Sequence, residues 1–289
     1  MWLKIISGLL LLGSVHLGIS QTDSLFRVSA RVLSGLPAAS QLEVDTEGNL
    51  TLLDPDQNRI YRYFALSDFD SSIFVGGYGI REEGFLEPSL IKVRNRQETY
   101  VLDEGARRLV LLNTNFKVVG ETRFLDIERG QQDLELYPFN FALSPAGEKF
   151  LLNRFDNKIY KINAFGELET SFGGLDYGDG ALEGPAEVRI RDNSFVLVSD
   201  TLGQNIKVFN YFGIYESTII PKTSFRWQKF RLFGQIILCY DAHNIAIGNL
   251  TTNQYREYQV QNPGPILDVA LSRQYIYLLR ENEVHLYKR

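Results

Sequence analysis

Four segments of the chain share one pattern: LLDPDQNRIYRY from Leu52, VLDEGARRLVLL from Val101, LLNRFDNKIYKI from Leu151 and VSDTLGQNIKVF from Val198. Each is an apolar strand ending in Asp or Asn, then four variable residues, then a polar or cationic residue that opens a second apolar strand. The copies recur at about 40 to 50 residues, the period of propeller blades. A fifth copy, LCYDAHNIAIG from Leu238, has a shorter turn, and a sixth, YLLRENEVHLYK from Tyr277, carries Arg280 in place of Asp or Asn.

Upstream of these anchors the spacing is also constant. Pro88, Pro138, Pro185 and Pro265 stand fifteen residues before Asp103, Asn153, Asp200 and Arg280, with Ala39 and Arg226 at that place in the other two units. Proline costs no ladder bond at the first residue of a strand, so the position marks where an inner strand begins. Gly76-Gly77 and Gly173-Gly174 precede two near-copies, GFLEP ending at Pro88 and GALEGP ending at Pro185. Each unit therefore reads as four short antiparallel strands, one propeller blade. No 3.6-residue apolar periodicity is sustained beyond the N-terminus, which argues against an α/β fold. The expected fold is all-β, a six-bladed β-propeller of four-stranded blades. The chain ends after the third strand of the sixth unit, so residues 26–33, FRVSARVL, are expected to supply the missing strand and cover the exposed edge.

The Gly- and Pro-marked linkers, the anchor Asp and the polar-apolar strand after it resemble the NHL-repeat family of propellers over nearly all of residues 21–289. The resemblance is clearest in the second and fourth units and weakest in the fifth. It implies a ligand-binding platform, a scaffold or, in some members, an enzyme, and it speaks for architecture more than for activity.

Residues 1–20 read as a secretory signal peptide, with Lys4, an apolar run from Ile5 to Leu12, and small residues before Gln21. The apolar run is far shorter than the roughly 20 residues a membrane span needs. Residues 21–289 then form one exported domain, periplasmic or extracellular, expected to be a monomer. The single cysteine, Cys239, lies in the apolar run IILCY and reads as a buried thiol. The formal net charge is −5, one unit more negative without Lys4, and the cationic stretches are short, which argues against a nucleic-acid partner.

Asp54, Asp103, Asn153, Asp200 and Asp241 recur once per blade, which suits a turn-capping role better than a single active site. Histidine is scarce: only His243 and His285 remain after His16, so no zinc site or Ser-His-Asp arrangement is readable. Propeller lyases and lactonases rely on metal-binding His, Asn or Glu, and this chain departs from that pattern. Two residues beyond the proline position stand Gln41, Leu90, Asn140, Glu187, Gln228 and Leu267, four of them polar. With Arg189, Arg226 and Trp227 nearby, Gln41, Asn140, Glu187 and Gln228 form a candidate ligand-binding rim at the channel mouth for a peptide, protein or glycan. The alternative is that they hydrate a water-filled channel. The leading expectation is a non-catalytic binding or scaffold propeller without a cofactor. The second is a calcium-dependent lyase or lactonase-like enzyme with Glu187 and Asn140 as oxygen ligands. Asp176 and Asp179, in GLDYGDGALEG, are the other metal candidates, although that segment also aligns with the plain linker GIREEGFLEP. A third expectation is a structural component of a larger surface assembly.

Overall fold

A computed structural model describes residues 29–81, 83–260 and 264–289. The expected signal peptide and residues 26–28 of the closing segment lie outside the described residues. The described strands form six four-stranded antiparallel sheets, and in five of them the strand order follows the chain. Blades one to five span residues 41–76, 88–123, 138–173, 185–219 and 229–259; blade six spans 268–288. The molecule is a six-bladed β-propeller.

Each sheet has a neighbour on both faces, so its middle strands cannot alternate apolar with polar. The second strands of blades one and three, Leu50–Asp54 and Lys149–Asn153, are buried at every residue. Leu52 packs toward blade six while the adjacent Leu53 packs toward blade two. The core is accordingly divided into six apolar clusters, one at each seam between consecutive blades. This is why the anchor segments read as unbroken apolar runs.

The proline offset becomes a register. Pro88 pairs with Asp103, Pro138 with Asn153 and Pro185 with Asp200, and after each proline the inner strand carries one extra residue. Such a bulge re-aims the side chains that follow it. The anchors do more than cap their own turns. Asp103 Oδ1 accepts the Leu86 and Glu87 N–H groups at 3.1 and 2.8 Å, Asn153 accepts that of Tyr137 at 2.6 Å, and Asp200 accepts those of Glu183 and Gly184 at 2.8 and 3.2 Å. Each anchor thus ties the incoming linker to the turn of the blade that the linker enters. Asp54 and Asp241 keep the local role, accepting from Gln57 and from His243 and Asn244. Arg280 inverts the polarity, donating to the Gly264 carbonyl at 2.8 Å. The Gly76 conformation, at φ +113°, brings its α-carbon against the Asn58 carbonyl so closely that no side chain fits.

The N-terminal segment closes the ring as expected, with a strand that begins at Arg31 and runs to Ser34 where residues 26–33 were expected. Arg31–Ser34 pairs antiparallel with Glu283–Lys288, as the outermost strand of blade six, and Leu33 is buried in the seam cluster shared with blade one. Cys239 lies fully buried between blades four and five, and burial pushes its thiol well above the ordinary value. Deleting residues 21–34 should lower the melting temperature by about 4–8 °C, corresponding to about 2 kcal/mol; circular-dichroism melts of chains beginning at residue 21 and at residue 35 check this.

Candidate functional site

Connectivity assigns the loops to two faces. Inner strands start, and linkers and second-to-third-strand turns lie, on one face; first-to-second and third-to-fourth hairpins lie on the other. We call these the linker face and the hairpin face.

Along the axis, the polar ring is real but its membership changes. Gln41, Leu90, Asn140 and Glu187 pair with Leu53, Leu102, Leu152 and Ser199, the residues just before the anchors. In blades five and six that place is held by Lys229, opposite Tyr240, and Asp268, opposite Leu279. Gln228 and Leu267 are displaced by one position because the first hairpins of these blades are one residue shorter between paired positions. Gln228 is exposed instead.

The ring residues bond across the seams. Ile91 N–H donates to Gln41 Oε1 at 3.0 Å, Val188 N–H to Asn140 Oδ1 at 3.2 Å, Phe230 N–H to Glu187 Oε2 at 3.1 Å and Leu42 N–H to Asp268 Oδ2 at 2.9 Å. Lys229 Nζ donates to the Leu267 carbonyl at 3.0 Å. Five of the six seams are spanned in this way; Leu90 has no polar group with which to span the sixth.

Two residues further along each inner strand comes a second ring: Glu43, Lys92, Ala142, Arg189, Arg231 and Ala270. Glu187 binds Arg231 and Arg189, each at 2.5 Å, and lies 3.9 Å from Lys92. Arg231 also meets Asp268, whose carboxylate accepts the Tyr240 hydroxyl at 2.6 Å. Burial alone would raise the Glu187 carboxyl, but Arg189, Arg231 and Lys92 outweigh it and hold the group far below the usual range. The same contest at Asp268, settled chiefly by Arg231 and then Lys229, leaves its carboxyl lowered. Burial, reinforced by the neighbouring Arg189, lowers the Lys92 ammonium to about 8.

The other sequence candidates are placed apart from this cluster. Trp227 is buried in the seam between blades four and five, so its ring is not presented to a ligand. Arg226 is exposed on the linker face, donating to the Thr201 carbonyl at 3.2 Å. Asp176 and Asp179 are exposed in the linker between blades three and four, away from Glu187 and Asn140. Among the described residues no group of three or more His, Cys, Asp or Glu gathers as a metal would need. Glu187 stands among cations and Asn140 has given its carbonyl to a backbone N–H, an arrangement poorly suited to calcium.

Two features escaped the sequence reading. At the hairpin end of the channel a cavity of about 400 Å³ is lined by Glu43, Lys92, Arg94, Arg189 and apolar side chains of blades three to five. On the linker face, Tyr78, Ile80, Leu125, Phe155, Leu175, Leu202 and Ile220 are all more than half exposed. They come from consecutive linkers and turns of blades one to five, and Tyr137 packs edge-on against Phe155 at 4.8 Å between ring centres. Loop residues with apolar tips are invisible to pattern reading because no periodicity distinguishes them.

No protein-family model and no curated protein matches the chain. Solved structures do. A catalytically inactive virginiamycin B lyase from Staphylococcus aureus with quinupristin matches at TM-score 0.58 and 14% identity, covering 86% of this chain and 79% of that one. A streptogramin B lyase matches at TM-score 0.60 and 12% identity, with 90% and 87% covered. A chain of a mitotic checkpoint complex matches at TM-score 0.61 and 8% identity, with 100% and 99% covered. At these identities the likeness is one of fold, the β-propeller.

Glu187→Gln should destabilise the protein by about 3 kcal/mol at neutral pH, measured by urea unfolding, because it weakens the compensation of the buried Arg231 and half-buried Arg189 guanidinium groups. Since the Glu187 and Asp268 carboxyls are lowered by folding, their contribution is complete above the ordinary carboxylate value and is lost as pH falls below it. Wild-type stability should therefore drop between about pH 5 and pH 3, and more shallowly in Glu187→Gln.

Proposed function

We propose that this chain is a non-catalytic binding propeller that docks a protein or peptide across its linker face. The observation that carries this reading is the set of seven exposed apolar side chains between Tyr78 and Ile220 on that face. Single exposed apolar residues need no explanation, whereas a concentration on one side of a soluble domain favours a contact surface. The other face exposes fewer, chiefly Leu66, Phe165, Phe212 and Ile214 at hairpin tips. The anchor bonds of Asp103, Asn153 and Asp200 hold the linkers in place, so the surface is preorganised and docking need not order it.

Kinship with NHL-repeat propellers, supported by GFLEP and GALEGP, belongs to this reading, as does export directed by residues 1–20. No helix among the described residues is long and apolar enough to cross a membrane. The calcium-dependent enzyme would need oxygens of Glu187 and Asn140 that are already bonded across the seams.

A photoreactive side chain at Phe155 or Leu202 should cross-link a discrete protein partner in extracts of the source cell, and the same group at Phe165 on the hairpin face should not. Combining Tyr78→Ser, Phe155→Ser and Leu202→Ser should abolish the adduct at unchanged melting temperature. Equal adducts from both faces would refute linker-face docking.

A further inference from the structure

We propose that the hairpin-side mouth of the channel binds a small organic carboxylate, held by the Lys92 ammonium and the Arg189 guanidinium against an apolar wall. This site is independent of linker-face docking and lies at the opposite end of the channel.

The cavity exists because of the second ring. Four of its positions carry long charged side chains, but blade three contributes Ala142, which lines the cavity and leaves the space beside Lys92 and Arg189 unfilled. At about 400 Å³ it falls within the roughly 300–1,000 Å³ of small-molecule sites. Its apolar wall comes from Ala142, Val188, Ile190 and Leu232.

Both cations have donors to spare. Lys92 is buried, yet no acceptor among the described residues lies within hydrogen-bond distance of Nζ; Glu43 and Glu187 stand at 3.7 and 3.9 Å. Arg189 spends Nη2 on Glu187, while its buried Nε has no partner and its Nη1 is 3.7 Å from Glu43. Lys92 Nζ stands within ion-pair reach of two carboxylates yet donates no hydrogen bond to either, so an anion entering the cavity can take its N–H groups. Arg94 also lines the cavity but is engaged with Glu98 at 2.8 Å and with the Pro145 carbonyl.

The charge count selects the ligand class. Glu43 is the one carboxylate among the lining residues, 3.7 Å from both Lys92 and Arg189, and Glu187 stands behind them; over the two rings Lys92, Arg189, Lys229 and Arg231 face Glu43, Glu187 and Asp268, which leaves one positive charge over. The remainder suits a monoanion better than a dianionic phosphate, and the apolar wall suits a ligand with a hydrocarbon body.

Binding should also depend on pH. The charged groups acting on Lys92 are Glu43 of blade one, Arg189 and Glu187 of blade four and Arg231 of blade five, while blades three and six present Ala142 and Ala270 at this level. With the free ammonium titrating at about 8, affinity should hold below that pH and weaken above it.

Isothermal titration of the full mature chain with hexanoate, benzoate, hexanamide and sulfate tests the site. The expected result is saturable binding of hexanoate or benzoate at about millimolar Kd or tighter at pH 7, with hexanamide and sulfate at least about tenfold weaker. Lys92→Gln should weaken carboxylate binding about tenfold and remove its decline between about pH 7 and pH 9. Should that variant fail to fold, Ala142→Leu, which narrows the cavity and leaves every charge in place, should give the same loss. Absence of carboxylate binding, equal binding of hexanamide or sulfate, or wild-type affinity in the folded variants would overturn the proposal.

Discussion

The molecule rests on one recurring contact: a polar side chain near the start of five of the six inner strands, reaching over the seam to the backbone of the next blade. Seams between blades are otherwise apolar and non-directional, and apolar packing alone tolerates sliding. Leu42, Ile91, Val188 and Phe230 each present an N–H toward the axis, where no sheet neighbour exists to accept it. Asp268, Gln41, Asn140 and Glu187 supply the acceptors. A buried N–H without an acceptor is costly, so the ring both satisfies these groups and fixes how each blade is registered against the next.

Once carboxylates occupy two ring positions, the second ring must carry cations. Arg231 and Arg189 answer Glu187, and Arg231 also answers Asp268. Buried ion pairs of this kind add little net stability, but removing one member exposes the full desolvation penalty of the other. The core of the channel is thereby committed to holding the blades together. What remains open to ligands is its hairpin end, where Ala142 interrupts the charged ring, and the linker face, where apolar side chains point away from the core.

Much of this was legible in the sequence because blades repeat. The anchor spacing and the proline offset marked six units, and the missing last strand pointed to closure by the N-terminal segment. The ring position was legible for blades one to four, where the offset from anchor to inner strand is constant. It slipped by one residue in blades five and six, so Gln228 and Leu267 were read where Lys229 and Asp268 stand: the first hairpins of both blades are one residue shorter between paired positions, and a fixed offset from the anchor cannot register that. Trp227 was misplaced because it stands two residues before the inner strand Lys229–Phe233, in a linker with no alternation from which to tell channel from seam. The anchors' grip on incoming linkers and the cavity beside Ala142 depend on contacts between units, which no single repeat encodes.

Amide hydrogen exchange read residue by residue tests the central claim most directly. The N–H groups of Leu42, Ile91, Val188 and Phe230 should exchange only through global unfolding, whereas that of Phe141, which follows the ring at the seam where Leu90 offers no acceptor, should exchange markedly faster. Protection of Phe141 equal to that of the other four would contradict the claim that side-chain acceptors on the axis, and not apolar packing alone, hold the blades in register.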